Sequence, residues 1–258
     1  MGDFHYQDRL IFVLKFKDYW ANELDFYSCL NNIVFPSQLN YKNILKLIES
    51  CLEIRLPILV FEYVKHGTFR DQSDNSFQLT HWLKIAMEIA NSVAYLHLGF
   101  SRPILFKDIN SSHLLFDENY VMKLFNFSVS EFIPEGETHI TNGVRGTSGH
   151  VAPKSLHTGY LNEKCDVYSF GILLFEVLTG QRAIDLLRLM NCDLYSLRDQ
   201  AKIHIENNKF NEIIIIVGVG SCPGEEQHLQ ALAELAFKCL SNSAEDRPTM
   251  IQVVNNSG

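Results

Sequence analysis

Residues Phe170 to Leu178 read FGILLFEVL, an apolar run interrupted only by Glu176. A helix of that composition is apolar on nearly every side, so other elements must enclose it. Thr179-Gly180 follows, and glycine suits a helix end. Any fold for this chain therefore needs a helical body thick enough to surround a central helix. Thr80–His97 supplies one wall, with Leu83, Ile85, Ala86, Ile89, Ala90, Val93, Ala94 and Leu96 in a broad stripe and Thr80 placed to cap the start. Leu229–Leu240 is a second amphipathic stretch. With 258 residues, 47% of them apolar, the chain has material for such a core.

The first third reads differently. Leu10–Phe16 is a short apolar run closed by Lys15 and Lys17, the length of a buried strand. Leu56–Tyr63 repeats that character, with Pro57 at its start, where a strand tolerates proline. Ala21–Gln38 between them has a helical reading, which Pro36 should end or kink. His66-Gly67-Thr68 breaks the pattern and 71–76 is a polar loop. Strands first and helices after give an α+β fold, a small strand-rich lobe (1–63) joined to a larger helical one (64–258).

Net charge is 22 − 30 = −8, which argues against a general nucleic-acid surface. The six cysteines form no CxxC pair, so neither a zinc site nor a disulfide framework is indicated, and a reducing compartment fits. The branched run Ile213–Val217 is too short to span a bilayer. No signal-peptide pattern opens the chain, and Tyr6 does not fit a myristoylation signal at Gly2. The chain reads as soluble and intracellular. Ile213–Gly220 is unlike the polar loop expected there, and no physical account of it follows from the sequence.

Five motifs occur in order. They are Phe106-Lys107-Asp108-Ile109-Asn110 with His113, Asn126-Phe127-Ser128, Gly146-Thr147 through Ala152-Pro153-Lys154, Asp166-Val167-Tyr168-Ser169-Phe170-Gly171, and Asp246-Arg247-Pro248-Thr249-Met250. Their order and spacing resemble the eukaryotic protein-kinase fold, over nearly the whole chain. The wording of "PILVFEYVKHGTF" and "DVYSFGILLFEVLTG" is similar to plant receptor-like kinases, including the wall-associated type. The resemblance implies a two-lobed α+β fold with a β-rich N-lobe and a helical C-lobe.

Phosphoryl transfer in that family uses a glycine-rich loop, a Lys–Glu pair, a catalytic Asp, and an Asn and an Asp that hold magnesium. The expectation for this chain is that the family's first strand and glycine loop are missing, since only Gly2 precedes the Lys15 strand. Lys15 matches the family's strand lysine. Ungapped alignment through Asn43-Ile44-Leu45-Lys46-Leu47 puts Asn32 at its glutamate partner, with Glu23 the candidate only if the helix slips by nine residues. Asp108 matches the catalytic base. His113 stands at the asparagine that holds metal, and a neutral imidazole is a poor ligand for magnesium. Asn126 replaces the aspartate of Asp-Phe-Gly, which removes a full charge from the ion, and Ser128 replaces its glycine. Lys154 replaces a glutamate that in the family pairs with an arginine matching Arg247, so Lys154 is expected to point outward. Asp166 matches the aspartate that anchors the catalytic loop.

This pattern of replacement resembles the plant receptor-like cytoplasmic pseudokinases of the ZRK type, through "YQDRLIFVLKFKD", "NNIVFPSQLNYKNILKLI" and "FSVSEFIPEGETHITNGVRGTSGHVAP". The resemblance implies an inactive adaptor in plant innate immunity, partnered by an NLR receptor and other receptor-like cytoplasmic kinases. It implies no cofactor, ATP and magnesium binding being lost or weak, and a cytoplasmic location that reaches the plasma membrane through partners. A weakly active serine/threonine kinase and a truncated product without stable function are the alternatives. The segment from Val129 to Pro153, with Thr138 and Thr141, is expected to be either a contact surface or an ordinary solvated loop.

Overall fold

The computed structural model describes residues 2–6, 9–16, 23–53, 57–72, 79–141, 143–179, 183 and 225–256. The chain forms two compact units, Met1–Gln72 with Ser111–Ser130, and Ser73–Asn110 with Glu131–Gly258.

The first unit is built on a four-stranded antiparallel sheet. Its strands are β1 (Gly2–Tyr6), β2 (Arg9–Lys15), β3 (Leu47–Cys51) and β4 (Ile58–Glu62), in the order β1-β2-β4-β3. The two strands expected from sequence are its centre, β2 pairing β4 with Phe12 opposite Phe61 and Lys15 opposite Ile58. Alternation in β4 turns Leu59 and Phe61 inward, and they join Phe12, Leu45, Val64, Leu115 and Phe125 in one buried cluster. The flanking strands β1 and β3 were not expected.

Helix α1 (Glu23–Gln38) contains Pro36 in its last turn and ends two residues beyond it, in line with the expected end near the proline. Proline there cannot supply the N–H that would bond the Asn32 carbonyl four residues back, and the helix stops within the same turn. Ser37 Oγ and Gln38 Nε2 both donate to the Val34 carbonyl at 3.0 Å, closing that turn.

In the second unit, α2 (Leu79–Leu98) carries the predicted stripe, with Ile89, Ala90, Val93 and Leu96 at 1% exposure or less. Thr80 lies inside its first turn and so is not the cap. The short β5 (Ile104–Leu105) follows α2 in the same unit. The chain then returns to the first unit for β6 (Leu114–Phe116) and β7 (Met122–Leu124), an antiparallel hairpin. Asp117 Oδ1 closes its turn by accepting the N–H groups of Asn119 and Val121 at 2.8 and 3.0 Å.

Back in the second unit, β8 (Glu131–Phe132) pairs with β5 and β9 (Ile140–Thr141) with β10 (Tyr160–Leu161). The short α3 (Pro153–Thr158) precedes α4 (Glu163–Thr179), the central helix. From Cys165 to Thr179 only Tyr168 and Glu176 are not buried. Helix α5 (Glu225–Cys239) packs on α4, and α6 (Met250–Asn256) packs on α2. Gly171 permits the α4–α5 approach, since a Cβ there would lie 2.8 Å from the Cys239 Cβ. The Ile213–Gly220 segment lies outside the described residues.

Candidate functional site

The candidate residues fall into two constellations, one in each unit. In the strand-rich unit, a 3₁₀ turn (Ser111–His113) leads into β6, and Asn126 follows β7. Asn126 sits at φ 67°, a left-handed conformation that asparagine tolerates better than most residues. Its Nδ2 donates to His113 Nε2 at 2.7 Å, which makes the imidazole nitrogen the acceptor. Its Oδ1 faces Asn32 Nδ2 at 3.5 Å.

Asn32 is buried in α1 and donates to the Ser28 carbonyl at 2.9 Å, while its Oδ1 accepts the Phe127 N–H at 2.8 Å. Asn31 extends the tie, its Nδ2 donating to the carbonyls of Ser128 (3.2 Å) and Ser130 (3.1 Å). The Asn126 segment is thus fastened to α1 by amide side chains. On either side of it, Phe125 meets Phe12 edge-on at 6.3 Å and Phe127 stacks on Phe35 at 5.9 Å. Lys15, at the end of β2, is exposed and has no hydrogen-bond or ion-pair partner among the described side chains.

In the helical unit, Asp166 organises the segment before Asp108. It is fully buried in the first turn of α4, and its carboxylate accepts the N–H groups of Phe106 (2.9 Å) and Lys107 (2.7 Å). His97 Nε2 lies 2.9 Å from Asp166 Oδ2, which places the ring proton on that nitrogen. Lys107 is held at φ 68°, a strained setting for a lysine that these bonds maintain.

Asp108 Oδ1 accepts three hydrogen bonds, from Thr147 N (2.8 Å), Thr147 Oγ1 (2.6 Å) and Asn110 Nδ2 (3.0 Å). Gly146 makes this closeness possible, since its φ is 152° and a Cβ there would stand 2.9 Å from the Lys107 carbonyl.

Lys154 is exposed in the first turn of α3, as expected from its charge. Arg247 is buried, and its guanidinium donates to the carbonyls of Ser241 and Lys164, each at 2.9 Å, and lies 4.9 Å from the Tyr168 ring centre. Burial holds the Arg247 guanidinium below the ordinary arginine range. The same cause lowers Lys164 and pushes the Cys239 thiol up to about 12.

Sequence reading did not single out Asn31, Glu131 or His97. Asn31 left a signal in the Asn31-Asn32 doublet, since asparagine is a weak helix former whose amide competes with the helix backbone. His97 and Glu131 left none, because an isolated histidine or glutamate ordinarily sits at a helix end or on a solvated strand.

The profile of the protein kinase domain matches residues 4–257. Among curated relatives, Wall-associated receptor kinase 2 of Arabidopsis thaliana is 36% identical over 235 residues, which is 87% of this chain and 31% of that protein. Wall-associated receptor kinase-like 10 of the same plant is 33% identical over 95% of this chain and 32% of its own length. Putative wall-associated receptor kinase-like 16, also from that plant, is 34% identical over 87% of this chain and 52% of its own length. The chain spans about a third of the length of the first two. Together with the strand-rich unit, the helical unit and the ordered motifs, this match makes the chain a protein kinase domain, a member of that family related to the wall-associated receptor kinases.

Proposed function

We propose that this kinase domain transfers no phosphate and works through its surfaces, as an adaptor of the ZRK type. The observation that carries the reading is the 2.7 Å bond between Asn126 and His113. These are the two positions from which a kinase domain would hold magnesium, and here their polar atoms face each other. Magnesium is a hard cation that takes oxygen ligands, above all carboxylates. An imidazole and a neutral amide already in mutual hydrogen bond fit it poorly.

Asn32 strengthens the reading. It stands where the resemblance places the glutamate partner of Lys15, and a neutral amide offers that lysine no ionic attraction. Asp166 and Gly171 keep the frame of the helical unit, so the surfaces of the family persist without its metal site.

On this reading the partners are proteins, by family likeness an NLR immune receptor and other receptor-like cytoplasmic kinases. Among the described residues no helix is long and apolar enough to cross a membrane. The test is a thermal melt with and without millimolar Mg–ATP, beside a labelled-phosphate assay. Neither a shift nor incorporation is expected. Incorporation that disappears in Asp108→Asn would overturn the proposal. Binding to purified NLR and kinase partners is expected to be the same for wild type and Asp108→Asn.

A further inference from the structure

Beside α3 and the first turn of α4, the helical unit carries a half-open cavity of about 280 Å³. Lys154, Tyr160, Cys165, Glu245 and Arg247 are among its lining residues. Arg247 is 3% exposed. A guanidinium carries five N–H groups. Three hydrogen bonds engage them, at 2.9 Å to Ser241 O, 2.9 Å to Lys164 O and 3.5 Å to Asn242 O.

All three acceptors are carbonyls. Among the described residues Arg247 forms no ion pair, and neither does Lys154, the second cation of the lining. The lining carries two cations and one carboxylate among the side chains named, a balance of +2 − 1 = +1. Lys164, whose Nζ donates to the Arg247 carbonyl, adds a positive charge that the neighbouring Glu163 offsets. Burying a cation without its counter-ion costs several kcal/mol in general, and a bound anion would offset that cost. The space is several times the roughly 30 Å³ that a water occupies in the liquid.

We propose that this cavity binds a small oxyanion, a phosphate or a carboxylate, between Arg247 and Lys154. The guanidinium fork matches the paired oxygens of either group, and the lysine supplies a second point charge from the rim. The site uses neither Asn126 nor His113, whose bond carries the proposed loss of phosphate transfer. Its chemistry admits two sources, a free anion or an acidic side chain from a partner protein.

The experiment is a thermal melt of the full chain at pH 7 and constant ionic strength, titrated separately with sodium phosphate, sodium acetate, a short poly-glutamate peptide and sodium chloride. Phosphate or a carboxylate probe is expected to raise Tm by about 3–5 °C at tenfold excess over its midpoint, and chloride is not. A phosphate response alone identifies the free anion. A peptide response at concentrations well below those needed with acetate identifies the acidic side chain. Lys154→Glu places a carboxylate of the chain's own beside Arg247, and should raise Tm without added anion and remove the anion response. Lys154→Gln should weaken the midpoint by about tenfold, the loss of one charge-assisted contact. If phosphate, acetate and peptide act no differently from chloride, or if the response is unchanged in both variants, the proposal is overturned.

Discussion

Glu131 Oε2 stands 2.9 Å from Lys107 Nζ, so the cation immediately before Asp108 has a counter-ion within its own unit. Lys107 is the more enclosed partner, its side chain 6% exposed against 34% for Glu131. Glu131→Gln would leave the buried ammonium with a neutral acceptor. Stability should fall by about 1–3 kcal/mol, read as a lower urea midpoint at unchanged m-value. An unchanged midpoint would mean that water already carries the Lys107 charge.

The packing of α4 on α5 predicts a steric loss at Gly171. A Cβ there meets the Cys239 Cβ at 2.8 Å, Leu240 Cδ2 at 3.0 Å and the Ala236 carbonyl at 3.1 Å. Gly171→Val must therefore separate the helices or distort them, at a cost of about 1–3 kcal/mol or more. The measurement is equilibrium unfolding. A stability within 0.5 kcal/mol of wild type (~0.5, the ordinary surface range) would show that the two helices are loosely held.

Cys239 predicts a response to alkali. Its thiol is raised from 9.0 in the unfolded chain to about 12 in the fold by burial. Between those values the unfolded chain loses a proton that the folded chain keeps, so stability falls as pH rises above 9. The limiting slope for one such group is about 1.4 kcal/mol per pH unit. Cys165 is shifted the same way, again chiefly by burial. Cys239→Ala should flatten the fall in urea midpoint between pH 9 and 11, whatever its effect at neutral pH. An identical slope in wild type and variant would assign the alkaline loss to other groups.

How far the sequence could be read depended on the range of the interaction. The apolar run of α4 and the stripe of α2 were legible because helical burial repeats within the segment itself. Strands β1 and β3 were not, because GDFHY and LIESC gain their strand character from β2 and β4 alongside them. The helical reading through Pro36 to Gln38 holds, the helix ending two residues past the proline. At the candidate site, His113, Asn126 and Asn32 were each singled out by the family resemblance. Their mutual bonds were not, since Asn32 and Asn126 are 94 residues apart in the chain. Lys107–Glu131 was hidden for the same reason, its partners lying 24 residues apart.

The Asn126–His113 bond predicts that one substitution will not rebuild a metal site. Asn126→Asp puts a carboxylate opposite His113, and the ring, in the tautomer that carries its N–H on Nε2, would donate to it and compete with any cation. Magnesium up to about 10 mM should leave the Tm of this variant unchanged. Adding His113→Asn removes the competitor and supplies an amide oxygen, so a magnesium-dependent rise should appear only in the double variant. A full response from Asn126→Asp alone would show that His113 is no obstacle, and would weaken the adaptor reading with it.

The last prediction concerns Thr138 and Thr141, both exposed in the segment between β8 and α3. In a self-locking segment, phosphate on such a residue would be drawn to the cation before Asp108 and order the loop. Lys107 is already paired with Glu131, and a phosphate would have to displace a carboxylate held at 2.9 Å. Thr147 is engaged as well, its N–H and hydroxyl both donating to Asp108. Replacing Thr138 and Thr141 together by Glu should therefore leave Tm within about 1 °C of wild type, well below the 2–4 °C that 1 kcal/mol produces in a chain of this size. The same pair of changes should alter affinity for a partner that reads the segment, measured with purified components against the corresponding Ala variants. In the Glu131→Gln background the outcome should reverse. Lys107 is then without its counter-ion, and the acidic substitutions should recover part of the lost stability. A rise of several degrees in the otherwise wild-type chain would instead make the segment a self-locking switch, with Glu131 displaced from Lys107.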